Sequence, residues 1–348
     1  MRLVQLRKGN ERRVAVVEEP QLRLLDCVRS AYELANLAIG TSEDLSVVAQ
    51  RRATGESLDY DSIYDGRSEW KLLVPFDHPI EVSRCTVSGT GLTHLGSAKG
   101  RDLMHGVAAA ASQTAAAASA PAKPAEPVTD SMRIFQWGVE HGRPAAGAIG
   151  VAPEWFYKGN GAALRAHGEA LEIPAYAEDG GEEAEVAGIY LIGADGKPRR
   201  IGFAGGNEFS DHQLEKKNYL NLAGSKLRTC ALGPELVIDP EFEEVPVAVQ
   251  IERQGKVIWA KEFRSGERVM CHSLQNIEHH HFKFEGHRRP GDVHIHYFGT
   301  AALSFGDGVK LQDGDVMQVR VDGFGRALRN PVRVAAGAQS LVSAIPLK

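Results

Sequence analysis

The feature that most constrains this chain is a succession of short apolar runs, each ended by a turn, in its second half. From Pro153 onward the runs read EVAGIYLIG, RRIGFAGG, VAVQIERQG, KVIWAKEF, DVHIHYFG and VMQVRVDGFG, separated by Gly, Asp and Pro. Two intervening stretches, SDHQLEKKNYLNLAGSK and SLQNIEHHHFKF, have helical spacing. Many short strands with few helices predict a β-rich α+β domain, built as a barrel or a rolled sheet.

The first 75 residues predict a small α+β unit of their own. RLVQL and RVAVV have the composition of short strands on either side of a polar turn, and SAYELANLAIG has helical spacing. A connector with several prolines follows. We therefore expect a small N-terminal domain over residues 1–75 and the main domain over 76–348.

A compositional break interrupts the main domain at residues 107–128, which read VAAAASQTAAAASAPAKPAEPV. Alanine favours helix, but the prolines end it, and few large apolar side chains are present to anchor it. The stretch predicts a mobile insertion that is partly helical at best. A passive surface loop is the alternative.

Charge and composition exclude some functions. The net charge is -5, with a pI near 6.2 and no basic stripe, so nucleic acid is not an expected partner. No apolar run reaches membrane-spanning length, and no signal peptide is evident. The cysteines are far apart and predict reduced, mostly buried thiols in a cytoplasmic protein; they are Cys27, Cys85, Cys230 and Cys271.

Paired carboxylates open the run VAGIYLIG. On a strand, Glu183 and Glu185 point to one face, where two buried charges need a cation such as a hard, oxygen-liganded metal. The alternative is an acidic edge exposed to water. Glu208 or Asp211, after the next run, offers a third ligand. Otherwise Asp211, Asn207 or Ser210 simply caps the helix that follows.

These stretches resemble, in order, the motifs of the fumarylacetoacetate hydrolase superfamily. The similarity runs from Pro153 to Val332 through PEWFYKGN, LEIPAYAEDGGEEAEVAGIYLIG, GFAGGNEFSDH, LRTCALGPEL, GDVHIHYFGT and LQDGDVMQVRVDGFGRALRNPV. A small N-terminal domain also occurs in that family. The resemblance implies a rolled β-domain, a homodimer and an enzyme that acts on a small 2-keto acid.

The resemblance also assigns site residues. It implies that Mg²⁺, or Mn²⁺, binds Glu183, Glu185 and Glu208, where the third ligand is usually Asp. Thr300 matches the substrate-binding threonine beside Gly299. Lys158 matches a site lysine, with a structural salt bridge as the alternative, and Ser88 is a further candidate for substrate binding.

Three departures from the hydrolase pattern bear on function. Hydrolases of the family carry a water-activating His and Glu on a lid. In the corresponding stretch here, GLTHLGSAKG, Ser97 stands in place of that His and Gly100 in place of that Glu. His94 and His105 are near in sequence and could substitute. His212 stands where the family usually has an arginine, four residues after the third metal ligand. The catalytic lysine falls on Gly224, with Lys226 two residues away and able to replace it.

Loss of the His–Glu dyad favours elimination over hydrolysis, because nothing evident deprotonates a water nucleophile. The resemblance implies a subgroup of 2-keto-3-deoxy-pentonate dehydratases that form 2-oxoglutarate semialdehyde in non-phosphorylative pentose catabolism. Lys226 or His94 is the candidate base, and His212 or a metal-linked water the candidate acid. An acylpyruvate or diketo-acid hydrolase is the second candidate function, and a non-catalytic sugar-acid binding protein the third.

A zinc site is a competing interpretation of the histidine-rich stretches. His279, His280 and His281 are consecutive on a predicted helix, so they point in different directions. His294 and His296 share a strand face, but the sequence shows no further ligand beside them. Packing or subunit contacts are the expected roles of these histidines.

Overall fold

The strands form two sheets. The computed structural model describes the backbone of residues 1–113 and 128–347 and the side chains of 1–104 and 128–347. Numbered along the chain, the strands are β1 (Arg2–Lys8), β2 (Glu11–Glu18), β3 (Gln21–Leu25), β4 (Ala53–Asp59), β5 (Lys71–Leu72), β6 (Cys85–Gly91), β7 (Glu154–Asn160), β8 (Leu164–Arg165), β9 (Leu171–Ile173), β10 (Ala184–Ile192), β11 (Pro198–Asn207), β12 (Cys230–Leu232), β13 (Leu236–Val237), β14 (Val245–Arg253), β15 (Lys256–Ser265), β16 (Val293–Tyr297), β17 (Val316–Val321) and β18 (Leu328–Val334).

The larger sheet has 13 strands, ordered β4-β3-β2-β1-β13-β11-β10-β16-β6-β7, with β12, β8 and β5 attached beside this path. The smaller sheet has five strands, ordered β15-β14-β17-β18-β9. Among the strands of the described residues, neither sheet closes on itself. The strand-rich α+β class predicted from the sequence is confirmed, with open sheets rather than a closed barrel.

The described helices are few and mostly short. They are α1 (Ala31–Thr41), α2 (Leu45–Arg52), α3 (Tyr60–Tyr64), α4 (Leu95–Gln113), α5 (Asp130–His141), α6 (His212–Lys217), α7 (Leu222–Lys226) and α8 (Leu274–Phe282). Both stretches with helical spacing are therefore helical, although the first is divided into α6 and α7. None of the described helices is long and apolar enough to cross a membrane.

The N-terminal strands continue the larger sheet. β1 and β2 pair around the predicted polar turn, with Lys8 opposite Glu11. On its other side β1 pairs with β13, so that Leu3 lies opposite Leu236. Hydrogen bonds thus join the first strand to the second half of the chain, and the boundary after residue 75 stays a prediction.

The predicted insertion at 107–128 is described only in part. Its first residues, to Gln113, continue α4, and residues 114–127 lie outside the described structure. The four cysteines are free, and three of them are buried, whereas Cys27 is exposed.

The apolar core fills the space between the two sheets at the level of β10 and β11. Val186 and Phe203 of the larger sheet pack in one cluster with Val249 and Met317 of the smaller one. Every residue of β10 is buried, as its apolar run predicts. Burial of each large aliphatic side chain contributes roughly 1.5–3 kcal/mol. Because β10 is buried on both faces, this packing holds the hairpin that carries the candidate ligands.

One of the two adjacent glycines of β11 allows a neighbouring side chain to lie directly against the strand backbone. A Cβ on Gly206 would lie 2.5 Å from Cε1 of Tyr297, whereas a Cβ on Gly205 would meet nothing closer than 3.3 Å. The Tyr297 hydroxyl donates to the carbonyl of Ala231 at 2.8 Å. Gly206 therefore lets a buried, hydrogen-bonded tyrosine lie against the end of the hairpin.

Candidate metal and substrate site

Three glutamates meet at one end of the β10–β11 hairpin. Glu183 directly precedes β10, Glu185 is its second residue, and Glu208 directly follows β11. The amide of Glu208 donates to the carbonyl of Glu183 at 2.9 Å, so the two residues face each other across the hairpin. Glu183 and Glu185 point to one face because they are two residues apart on an extended chain.

The carboxylates of this cluster are buried as well as close. One oxygen from each of Glu183, Glu185 and Glu208 lies within 4.8 Å of the others. The three residues are only 7%, 1% and 0% exposed. Three like charges at this spacing, removed from water, require compensation by cations or by protons.

Two buried lysines supply part of that compensation. Nζ of Lys226 lies 2.5 Å from Oε1 of Glu183 and 2.5 Å from Oε2 of Glu208. Nζ of Lys158 lies 2.8 Å from Oε1 of Glu208 and also donates to the carbonyl of Phe209. Glu185 forms no ion pair with any side chain that the structure describes.

Burial and these neighbouring charges set the pKa values of the glutamates and of Lys226. Burial raises the pKa of Glu185 well above its ordinary value, and the charges of Glu208 and Glu183 raise it further. Burial acts in the same direction on Glu183, but the charge of Lys226 and the contact with His212 outweigh it, so its pKa is lowered. Burial opposes the charge of Lys226, yet the adjacent carboxylates raise its pKa. Burial also raises the pKa of Glu208, despite the opposing charges of Lys158 and Lys226. Glu185 and Glu208 are therefore the two carboxylates whose charge a further cation would stabilise.

Helix α6 begins beside the cluster and contributes His212. Its Nε2 lies 3.1 Å from Oε1 of Glu183. Burial lowers the pKa of His212, but the hydrogen bond and charge of Glu183 more than offset this, and the pKa is raised. Asp211 is the N-cap of α6 and accepts from the amide of Leu214 at 3.0 Å. Of the two acidic residues considered as a third ligand, Asp211 caps a helix and Glu208 lies in the cluster.

The segment after β16 approaches Glu185 from another side. The amide of Gly299 donates to Oε2 of Glu185 at 2.6 Å, and Gly299 adopts a φ of 92° that favours glycine. The amide and hydroxyl of Ser304 donate to the carboxylate of Glu182 at 2.7 and 2.6 Å. These bonds hold the segment that carries Thr300, which is 2% exposed.

A small cavity of about 20 Å³ opens onto the cluster. Six residues predicted for the site line it, namely Glu183, Glu185, His212, Lys226, Gly299 and Thr300. Lys158 reaches the site through its contact with Glu208. The cavity thus brings carboxylates, cations and a polar backbone segment to one place, with room for one water-sized group in this conformation.

Sequence reasoning missed two charged residues of this cavity, Arg101 of α4 and Glu215 of α6. Nη1 of Arg101 lies 2.6 Å and 2.8 Å from the two carboxylate oxygens of Glu154 on β7. Its Nε lies 2.7 Å from Oε1 of Glu215. The one available signal was their position, since Arg101 follows Gly100 of the lid-like stretch and Glu215 lies three residues after His212.

We expect Arg101→Gln to lower the free energy of unfolding by about 3–5 kcal/mol, because it leaves two buried carboxylates without their cation. Urea unfolding measures the change. The matched control is Arg133→Gln on α5, whose pair with Asp130 is more than half exposed on both sides, and an effect below about 1 kcal/mol is expected. Equal losses in the two variants would contradict this account.

Two further candidates, His94 and Ser88, lie outside the lining of the cavity. Nδ1 of His94 lies 2.8 Å from the hydroxyl of Thr93, and burial lowers its pKa to about 4. The hydroxyl of Ser88 lies 2.9 Å from Nδ1 of His296. The strand register places Ser88 and His296 on the face of the sheet opposite Glu185. Their predicted roles stay predictions, with no contact to the carboxylates among the described residues.

The glutamate cluster fits a hard divalent cation. All three ligand side chains offer oxygen, the donor type that Mg²⁺, Mn²⁺ and Ca²⁺ prefer. Burial and the charges of Glu208 and Glu183 raise the pKa of Glu185, and the charge of Lys226 does not offset them. The buried triad is therefore a set of residues able to bind a metal ion.

Comparisons with known proteins agree with this description at the level of the fold. No protein-family model matches the chain, and no curated protein matches it by sequence. Solved structures do match. One titled 2-keto-3-deoxy-D-arabinonate dehydratase, in its apo form, has a TM-score of 0.67 at 19% identity, and the match covers 97% of this chain and 100% of that one.

Two other structures extend the comparison. The same dehydratase complexed with magnesium and 2,5-dioxopentanoate has a TM-score of 0.66 at 19% identity, over 97% of this chain and 100% of that chain. A 5-carboxymethyl-2-hydroxymuconate delta-isomerase from Mycobacterium smegmatis has a TM-score of 0.54 at 16% identity, over 96% and 100%. The chain therefore shares the fold of these solved structures.

Proposed function

We propose that this protein is a Mg²⁺-dependent dehydratase that converts a 2-keto-3-deoxy-pentonate to 2-oxoglutarate semialdehyde. One observation carries the proposal: the metal-competent glutamate cluster faces a cavity whose wall has serine where hydrolases of this fold carry a water-activating histidine. Ser97 lines the cavity, and its hydroxyl donates to the carbonyl of His94 at 2.9 Å. A hydroxyl bonded to its own helix is not a base, so the site favours elimination over attack by water.

The residues that would hold Mg²⁺ are Glu183, Glu185 and Glu208. When bound there, the ion supplies Lewis-acid polarisation of a carbonyl. Lys226 and His212 line the cavity beside the glutamates. The surroundings of each raise its pKa and so favour its positively charged form. Side chains around the cavity would have to move to admit the substrate, since the cavity measures only about 20 Å³. The substrate carboxylate and 2-keto oxygen would then lie on this cationic side, and Thr300 would contact the remaining carbons of the substrate.

Proton transfer can be assigned within the same cavity. Glu215 is a buried carboxylate on its wall that belongs to no metal triad. Its Oε1 is paired with Nε of Arg101 at 2.7 Å, and its other oxygen is our candidate for removing a proton from C3. His212 would donate a proton to the C4 hydroxyl as it leaves as water. A proton then moves from C5 to C3, and the resulting enol becomes the aldehyde. The elements of one water are lost, with no net oxidation or reduction.

This assignment moves the base away from the two residues expected from the sequence. Lys226 is held protonated between Glu183 and Glu208, which suits it to stabilise negative charge or to donate a proton. His94 does not line the cavity. The dehydratase of similar fold was solved with magnesium and 2,5-dioxopentanoate, which is the same compound as 2-oxoglutarate semialdehyde, and this supports the reaction class.

The test is a parallel assay of purified protein with Mg²⁺ or with EDTA. Racemic 2-keto-3-deoxy-pentonate and an acylpyruvate are offered separately, and products are identified by mass. We expect a product lighter by one water, captured as an aldehyde, in the first assay with Mg²⁺ alone. Pyruvate from the acylpyruvate only would indicate a hydrolase, and ligand binding without turnover would indicate a binding protein; either would overturn the proposal. The homodimer, the use of Mn²⁺ and the cytoplasmic location stay predictions.

A further inference from the structure

A second cluster of possible metal ligands lies away from the glutamates. His281 of α8, His287 of the turn after that helix, and His294 of β16 each offer a ring nitrogen within 4.8 Å of the others. His294 pairs with Tyr190 of β10, so its side chain lies on the face of the sheet opposite Glu185. The sequence suggested His294 with His296 but gave no sign that His281 and His287 join them.

We infer that His281, His287 and His294 form a second metal site, selective for a nitrogen-preferring ion such as Zn²⁺. Three imidazoles and an open fourth position are a common ligand set for zinc. Imidazole suits Zn²⁺, Co²⁺, Ni²⁺ and Cu²⁺, whereas Mg²⁺ prefers oxygen. The two sites of this chain would therefore take different ions.

The three histidines differ in burial. His281 and His294 are each only 1% exposed. His287 is only partly buried, so an ion can reach the cluster from its side.

The nitrogen positions are close to those required. Nε2 of His281 lies 3.0 Å from Nδ1 of His294, and two ligands of one tetrahedral zinc lie about 3.3 Å apart. Nδ1 of His287 lies 2.6 Å from the carbonyl of His281, which leaves Nε2 of His287 as its ligand atom. Donation of the second ring N–H to a carbonyl is the usual way that a ligating histidine is oriented.

Two hydrogen bonds compete with the metal. One joins Nε2 of His281 to Nδ1 of His294, the two nitrogens that the ion would bind, and the other comes from Trp155. Nε1 of Trp155 donates to Nδ1 of His281 at 3.1 Å, which places the proton of neutral His281 on Nε2. A metal at Nε2 would move that proton to Nδ1, where it opposes the indole N–H. Trp155 is 37% exposed on β7, at the end of the sheet order, so its ring can turn toward solvent. Loss of this bond should therefore strengthen metal binding.

The test titrates Zn²⁺ into protein without an affinity tag, in excess Mg²⁺ that occupies the glutamates, by calorimetry. Co²⁺ provides a second readout, because its visible absorption distinguishes four-coordinate nitrogen ligation from oxygen ligation. We expect one Zn²⁺ per chain, weakened at least roughly tenfold in His287→Ala. His279→Ala, on the same helix but outside the cluster, is the matched control and should bind as the unchanged protein does.

Trp155→Phe is expected to tighten Zn²⁺ binding by about fivefold, the size of one ordinary hydrogen bond. Unchanged or weaker binding would overturn the assignment of Nε2 of His281 as a ligand. Absence of Zn²⁺ binding in excess Mg²⁺, or equal binding by His287→Ala and the unchanged protein, would overturn the site itself. If His287→Ala does not fold, His287→Gln gives the same comparison.

Discussion

Replacing Lys226 by methionine is expected to lower turnover of 2-keto-3-deoxy-pentonate by about 10²–10⁴-fold, the usual range for a group that moves a proton or stabilises charge in the transition state. Lys226 is 1% exposed, and its Nζ lies 2.5 Å from carboxylate oxygens of both Glu183 and Glu208. Methionine has a similar length and no charge. Steady-state kinetics in saturating Mg²⁺ measures the loss.

The same variant should show a specific pattern of stability. Without metal, two buried carboxylates lose their shared cation, and the free energy of unfolding should fall by about 3–5 kcal/mol. Added Mg²⁺ should stabilise Lys226→Met more than it stabilises the unchanged protein, because the ion replaces the missing positive charge. Urea unfolding with and without Mg²⁺ measures both effects.

Lys217→Met is the control for this prediction. Lys217 lies on α6, and its pair with Glu178 is 61% and 37% exposed, so the change should affect stability by less than about 1 kcal/mol and leave turnover intact. Full activity in Lys226→Met, once Mg²⁺ has restored the fold, would remove Lys226 from the reaction and leave it only a charge-balancing role.

Replacing Glu185 by glutamine is expected to abolish metal-dependent turnover while stabilising the metal-free protein. The amide oxygen of Gln can still accept from the amide of Gly299, which now lies 2.6 Å from Glu185. The substitution removes a charge that is buried beside Glu208 and Glu183. The usual metal-linked stabilisation, about 2.7 kcal/mol at 100 times Kd, should disappear.

The dependence on pH distinguishes this effect from ordinary repacking. The pKa of Glu185 is raised above its ordinary value of 4.5 in the folded protein. The folded state therefore retains a proton that the unfolded state has lost, and metal-free stability falls as pH rises above 4.5, by up to about 1.4 kcal/mol per pH unit. Glu185→Gln should lose this slope, so the two proteins should converge in stability near pH 4 and diverge toward pH 8.

Glu172→Gln, at an exposed position on β9, is the matched control. It should leave the Mg²⁺-induced rise in Tm and the pH slope unchanged. A Glu185→Gln protein that still gains stability from Mg²⁺ would show that Glu185 is not a ligand.

Local features of the fold and of the glutamate cluster were predictable from sequence. Strand and helix periodicity identified the β10–β11 hairpin, α1 and α8, because each depends on neighbouring residues along the chain. The same periodicity placed Glu183 and Glu185 on one face. Glu208, Thr300 and Gly299 came from the order of motifs. The structure brings Thr300 and Gly299 to the cavity and Glu208 to the glutamate cluster beside it.

Relations between distant strands were not predictable. Ser88 and His94 looked close to the site in sequence, yet the register of β6 with β16 turns Ser88 to the opposite face, since a shift of one residue reverses every side chain of a strand. Arg101 meets Glu154 and Glu215 only because α4, β7 and α6 converge on the cavity. The pairing of β1 with β13 is equally long-range.

The sequence by itself thus determined which side chains of a strand point together and which residue types could bind a metal. Only the tertiary structure decided which charges neutralise one another. Lys226 lies between two glutamates, Glu185 has no ion-pair partner among the described side chains, and three histidines from separate elements share one space. The physical reason is that periodicity is a property of neighbouring residues, whereas burial and ion pairing depend on strand register and on packing between elements that are far apart in the chain.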